Sequence, residues 1–174
     1  MNAVSTTSDQ EEPAMPDWAA QTPDAIIAFI LRRFHEPLRS DLPVFVSTAR
    51  AVETAVKENP LCPAGLANHL EQILVEVECH LDKEEKILFP LILAGRGGSA
   101  FMPIKVMMAE HDDHLANLAR TRVLTHGFAV PADASQVWRT LYLDLQRFDA
   151  DLNQHIQLEN NVLFTRVMSG QGDR

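Results

Sequence analysis

At 174 residues the chain suits a single domain, and 46% hydrophobic content is enough to bury a substantial core. Fifteen Lys and Arg against 24 Asp and Glu leave a net charge of −9, a surface that repels phosphate backbones and anionic lipid. Nucleic-acid and membrane binding are therefore not expected. No apolar run reaches membrane-spanning length, and the N-terminus has neither a basic nor an apolar signal region, so a cytoplasmic protein is expected. Cys62 and Cys79 are too few for a disulfide framework. Cys79 neighbours His80 but points off its face, and reads as a small buried hydrophobe; Cys62, between prolines, reads as an incidental turn residue.

Residues 1–21 are polar, acidic and proline-punctuated, and read as a disordered tail. Thr22-Pro23-Asp24 then has the form of a helix start, with Thr as N-cap and Pro at the first helical position. Four amphipathic stretches follow, at roughly 23–58, 64–94, 102–126 and 134–168. They are separated by Asn59–Pro63, the Gly95–Gly98 run and Gly127–Asp133. Residues 170–174 read as a flexible C-terminus. Short connections between long helices imply antiparallel neighbours, so the expected fold is an all-α, up-down-up-down four-helix bundle over 22–169. Pro37 and Pro43 each delete a backbone donor from the first helix, predicting a kink near 33–43 that could help aim a ligand.

The second helix carries a seam of Leu66, Leu70, Ile73, Val77, His80, Glu84, Ile87 and Leu91, in alternating steps of four and three. The fourth repeats it with Leu141, Leu145, Phe148, Leu152, His155, Glu159 and Val162. The local sequences HLDKEEKILFP and HIQLENNVLFT are alike. A bare carboxylate on a buried seam costs several kcal/mol unless it is paired or metal-bound. A dinuclear metal site explains both pairs at once, with imidazoles binding each ion and the glutamates bridging them. On the first helix His35 lies on the seam Ile27, Leu31, His35, Leu38, Leu42; on the third His111 lies on Ile104, Met108, His111, Leu115, Leu118. Counting from the turns at ~1.5 Å per residue brings His35, His80, Glu84 and His111 to similar heights, with His155 a looser match.

A lone histidine on an apolar face is more often a hydrogen-bonded core residue, and one i, i+4 His–Glu pair can be a surface ion pair. Two such pairs in similar sequences, with a seam histidine on each other helix, favour metal. His114 is read as a neighbour of the ligands or an alternative ligand, and His69 and His126 as solvated residues near helix ends. Trp138, Tyr142, Phe148, Met107 and Met108 read as packing, some of it shielding the site. The glycine run precedes no P-loop lysine, and no nucleophile–base pair stands out. A metal-free helical interaction protein is the rival reading. Ferritin-like oxidase chemistry fits less well, since such sites favour E-x-x-H spacing.

The segments RRFHEPLRSDLP, HLDKEEKILFPLI, PIKVMMAEHDDHLANL and HIQLENNVLFTRV resemble the hemerythrin-like (HHE) domain, over about residues 24–168. They are most similar to the di-iron proteins of the iron–sulfur cluster repair (repair-of-iron-centres) family. The resemblance implies a hemerythrin-like bundle in which His35, His80, His111 and His155, with bridging Glu84 and Glu159, hold two iron ions (Fe2+/Fe3+) under an oxo or hydroxo bridge. It also implies a cytoplasmic stress-response role: repair of damaged iron–sulfur proteins by iron donation, nitric oxide binding or reduction, or both. Longer members carry a small N-terminal domain with a cysteine pair. About twenty polar residues precede the bundle here, which raises the alternative of a non-catalytic O2- or NO-binding or sensing module.

Overall fold

The computed structural model describes residues 17–170, so residues 1–16 of the expected tail and the last four residues lie outside it. Four helices form the bundle. Helix α1 runs through Pro23–Ile30, a π-helical stretch Leu31–His35, and Glu36–Ala55. Helix α2 comprises Leu66–Lys83, a second π stretch Glu84–Leu88, and Phe89–Leu93. Helix α3 is Gly97–Leu124, and α4 comprises Gln136–Leu158, a third π stretch Glu159–Phe164, and Thr165–Met168. The bundle is all-α as expected, α1 packing on α2 and α4, and α3 on the same two.

The boundaries follow local chemistry. Thr22 is the extended N-cap of α1, with Pro23 directly after it, although its hydroxyl makes no capping bond. Ser135 does cap α4, accepting a hydrogen bond from the Trp138 amide. Gly95, at φ 65°, lets the chain turn back so that the Arg96 amide reaches the Leu91 carbonyl and closes the end of α2. Gly97 and Gly98, expected in the turn, instead open α3; one left-handed glycine suffices to stop the preceding helix. Ahead of α1, Trp18–Ala20 forms a 3-10 turn, with Trp18 packed edge-on against Phe29 at 4.6 Å. The Arg166 guanidinium donates to the carbonyls of Trp18 and Gln21 and ties this turn to α4.

The core divides into two apolar clusters. One holds Leu38–Val52 of α1, Leu66–Leu81 of α2, Leu118, and Trp138–Ile156 of α4. The other holds Ile26–Phe34, Leu88–Ile92, Ala100–Met107 and Leu158–Val167. Each helix passes from one cluster to the other, in alternating order along the chain, as antiparallel neighbours must. Where each helix crosses, ionisable residues replace apolar ones. No helix among the described residues is long and apolar enough to cross a membrane.

The π stretches shift the expected seams. Where the heptad places Ile87 inward, Ile87 is 53% exposed and Leu88 is buried; Leu163 likewise replaces Val162, and Ile30 replaces Leu31. Each π turn takes one extra residue, with Glu36 and Phe89 donating to carbonyls five residues back, so the inward face slips by one position. Pro37 and Pro90 each stand two residues beyond a π stretch. Within the stretch expected to kink, a π turn ends on His35, two residues before Pro37, and Pro43 stands inside the α-helical segment Glu36–Ala55. Helix α3 has no π stretch, and its inward face is Ile104, Met107, His111, His114, Leu118. Met108 is only partly buried and Leu115 is exposed, against expectation.

Candidate metal centre

His35, His80, Glu84, His111, His155 and Glu159 are all at most 2% exposed and meet in the layer between the two apolar clusters. Each arrives through local sequence. His35 closes the π turn of α1; Glu84 and Glu159 open those of α2 and α4, four residues after His80 and His155. The π turns keep these side chains inward while the chain beyond them changes face.

Six donor residues form two overlapping groups. His35, Glu84, His155 and Glu159 bring ligand atoms within 4.8 Å of one another, and so do His80, Glu84, His111 and Glu159. Both carboxylates belong to both groups. The Nε2 atoms of His35 and His155 lie 3.2 Å apart, as do those of His80 and His111. Glu84 Oε2 is 3.4 Å from His35 Nε2 and 3.5 Å from His80 Nε2. Glu159 reaches His155 Nε2 at 3.1 Å and His111 Nε2 at 3.2 Å. Two donors bound to one ion at ~2.1 Å and near right angles lie about 3 Å apart, so the spacing is that of donors sharing a cation.

The electrostatics agree. All four oxygens of Glu84 and Glu159 are buried, with no hydrogen-bond partner among the described residues. Burial, reinforced by the neighbouring Glu159, pushes the Glu84 carboxyl well above the usual carboxylate range. Burial works against ionising Glu159 too, but His155 and His111 outweigh it and hold this carboxyl well below that range. Burial, then His111, lowers His80 to about 3, leaving its imidazole neutral and able to bind metal. Buried carboxylate oxygens and imidazole nitrogens facing one another are a donor set suited to divalent cations.

Three imidazoles are oriented from behind. His35 Nδ1 lies 2.9 Å from Glu85, which Arg39 also holds at 3.1 Å. His80 Nδ1 lies 3.0 Å from Glu110, whose other oxygen takes the Lys83 ammonium. Burial opposes ionisation of Glu110, yet Lys83 and His80 keep it below the usual range. His111 Nδ1 lies 2.9 Å from Asn160. Such partners fix ring orientation and raise ligand basicity. Sequence reasoning missed Glu85, Glu110 and Asn160; their only signal is that each directly follows or precedes a seam His or Glu. Stacked phenyl rings back the site: Phe34 on His155, Phe89 on His35 and Phe164 on His111. Trp138, Tyr142 and Phe148 pack instead in the cluster below.

His114 is buried beside His80, with ring centroids 4.9 Å apart and neither nitrogen hydrogen-bonded. It belongs to neither donor group. His69, expected at the surface, is buried with Nε2 against the Asn117 carbonyl, whereas His126 is exposed as expected. Cys79 is exposed, not buried: one residue before inward-facing His80, it turns toward solvent. Cys62 and Cys79 are both free.

A four-helix bundle whose middle layer is four histidines and two shared glutamates defines a class of helical cation-binding proteins. Residues 27–167 match the family model of the hemerythrin HHE cation binding domain, and the chain belongs to that family. It is also 42% identical over 163 residues to the iron-sulfur cluster repair protein YtfE of Musicola paradisiaca (strain Ech703), covering 94% of this chain and 73% of that protein. The protein of the same name from Yersinia pseudotuberculosis serotype IB (strain PB1/+) is 44% identical over 163 residues, covering 93% and 74%. That from Pectobacterium carotovorum subsp. carotovorum (strain PC1) is 42% identical over 173 residues, covering 94% and 78%.

Proposed function

We propose that His35, His80, Glu84, His111, His155 and Glu159 hold two iron ions, and that the protein repairs damaged iron–sulfur clusters in response to nitrosative or oxidative stress. The observation that carries this reading is the sharing of both glutamates by two four-donor groups. His35 and His155 would hold one ion and His80 and His111 the other, with Glu84 and Glu159 common to both groups. The relatives named as iron-sulfur cluster repair proteins support the role. Iron in this centre supplies redox and ligand-exchange chemistry, and as cargo it replaces metal lost from a damaged cluster. The chain's own part is to present the imidazoles and the two buried carboxylates to the metal and to keep water out with Phe34, Phe89 and Phe164.

The full chain purified anaerobically is expected to carry two irons and to restore activity to an iron–sulfur enzyme damaged by nitric oxide. Its Glu84→Leu/Glu159→Leu variant is expected to fold, hold no iron and restore nothing. Equal iron in the two proteins would overturn the reading. A second reading, a module that binds or senses O2 or NO without catalysis, is favoured by the donor count: four protein donors per ion leave coordination positions for a diatomic ligand. Mixing the diferrous protein with NO separates the two, since a stable adduct without N2O supports the module, and N2O formation supports chemistry.

A further inference from the structure

The two donor groups are alike in composition but not in support. In the His80–His111 pair both imidazoles are anchored, one by Glu110 and one by Asn160. In the His35–His155 pair only His35 is anchored, by Glu85. The Nδ1 of His155 is buried and has no hydrogen-bond partner among the described residues. Loss of such a partner weakens metal affinity by on the order of 10–100-fold.

The surroundings differ in the same sense. The His155 ring stacks on Phe34 at 5.1 Å, and Phe34 contributes to a groove of about 330 Å³ between α1 and α4. The Arg33 guanidinium lies over Phe34 and pairs with Asp151, a contact 2.6 Å long between side chains about 40% exposed. Asp41, Asp144 and Arg147 line the same groove, with the Arg147 guanidinium 3.3 Å from Asp144. On the opposite side a groove of about 250 Å³ between α2 and α3 carries Lys83 and apolar side chains such as Leu88 and Met107, with no carboxylate. A cation leaving on the His155 side therefore meets three carboxylates, two of them paired with exposed arginines. On the other side it meets hydrocarbon and the Lys83 ammonium, which is paired with Glu110.

Building on the di-iron reading, we propose that the two positions have different tasks: iron between His35 and His155 is the ion given up, departing through the α1/α4 groove, while iron between His80 and His111 is retained. Transfer is then a one-ion event per chain, and the retained ion keeps Glu84 and Glu159 in place for reloading. The departing ion leaves as Fe2+, so the step needs no electron donor beyond whatever keeps the centre reduced.

The test is removal of iron from the diferrous full-length protein by excess ferrous chelator, followed by absorbance. Two phases of equal amplitude are expected, with rates at least about tenfold apart. Protein recovered after the fast phase is expected to hold one iron, located between His80 and His111 by anomalous diffraction. Asn160→Leu, which removes the His111 anchor, should accelerate the slow phase toward the fast one. Arg33→Ala should accelerate the fast phase alone. A single phase from protein holding two irons, or a retained ion between His35 and His155, overturns the inference while leaving the di-iron reading intact. Failure to bind iron at all overturns both.

Discussion

The two apolar halves of the bundle use the same residue types on different helical repeats. In the half holding Leu66–Leu81 and Trp138–Ile156, the heptad seam and the buried face coincide through Leu70, Ile73 and Val77, and through Leu141, Leu145 and Leu152. In the half beyond the ligand layer they part company. Leu88 and Leu163 are buried where the heptad would put Ile87 and Val162. The slip happens at the layer of histidines and glutamates because three of the four helices widen there, and π turns gather at functional sites, where they redirect side chains. Both the unbroken register (Ile87, Leu91, Val162) and the slipped one (Leu88, Ile92, Leu163) are apolar, and the structure buries the slipped one while keeping Glu84 and Glu159 inward.

The largest expected effect tests whether the slipped half is a true core. Leu70 and Leu88 are both essentially fully buried, one on each side of the ligand layer. Leu70→Ala and Leu88→Ala should each cost about 2–5 kcal/mol in denaturant unfolding of the metal-free protein. Along an unbroken α-helix Leu88, four residues past Glu84, would sit on the flank of the seam and be only partly buried, so its truncation would cost clearly less than that of Leu70. A cost below about 1 kcal/mol for Leu88→Ala would therefore rule out the π turn of α2.

How much of the fold and site is legible in the sequence depends on which residues carry chemistry. The six donors are legible because a carboxylate or imidazole on an apolar seam is too costly to bury without a partner, and because HLDKEEKILF and HIQLENNVLF repeat one arrangement. The four helices are legible from breakers such as Asn59-Pro60 and Gly127 through Pro131. The register beyond Glu84 and Glu159 is not, because an inserted π residue leaves no mark on a pattern of leucines, isoleucines and valines. On α3 the choice lies between Met107 with His114 and Met108 with Leu115, spacings equally helical. Apolarity favours Leu115, and the structure buries His114. Local sequence also says little about Glu85, Glu110 and Asn160, whose role exists only across helix–helix contacts.

A smaller effect comes from His114, the ionisable side chain on the regular half's edge of the ligand layer. Burial, then the nearby His111, lowers its pKa to about 4 from the ordinary 6.5. The folded-state value lies below the unfolded one, so on acidification the unfolded chain takes up the proton first. The contribution of His114 to stability is then fully present above pH 6.5 and is lost as pH falls through about 4. Each pH unit in that window is worth about 1.4 kcal/mol. In the metal-free protein His114→Leu should remove this slope, so the variant gains on the parent steadily from pH 6.5 to 4. A stability difference independent of pH would show that this imidazole protonates freely in the folded protein.

The smallest effect is the most discriminating. Ile87 belongs to the same π turn as Leu88 and would be the seam residue of an unbroken heptad, yet more than half of its surface is exposed. Ile87→Ser should therefore change unfolding stability by no more than about 0.5 kcal/mol, as a surface substitution does. If α2 were regular through Glu84, the same change would bury a hydroxyl and open a cavity, costing several kcal/mol. Metal content adds a second readout, because a regular helix that turned Ile87 inward would rotate Phe89 outward and take the phenyl ring off His35. An Ile87→Ser protein with parental stability and parental metal content is what the widened turn requires. The near-zero result at Ile87 and the large one at Leu88, one residue apart, together fix the register on which the upper half of the site is built.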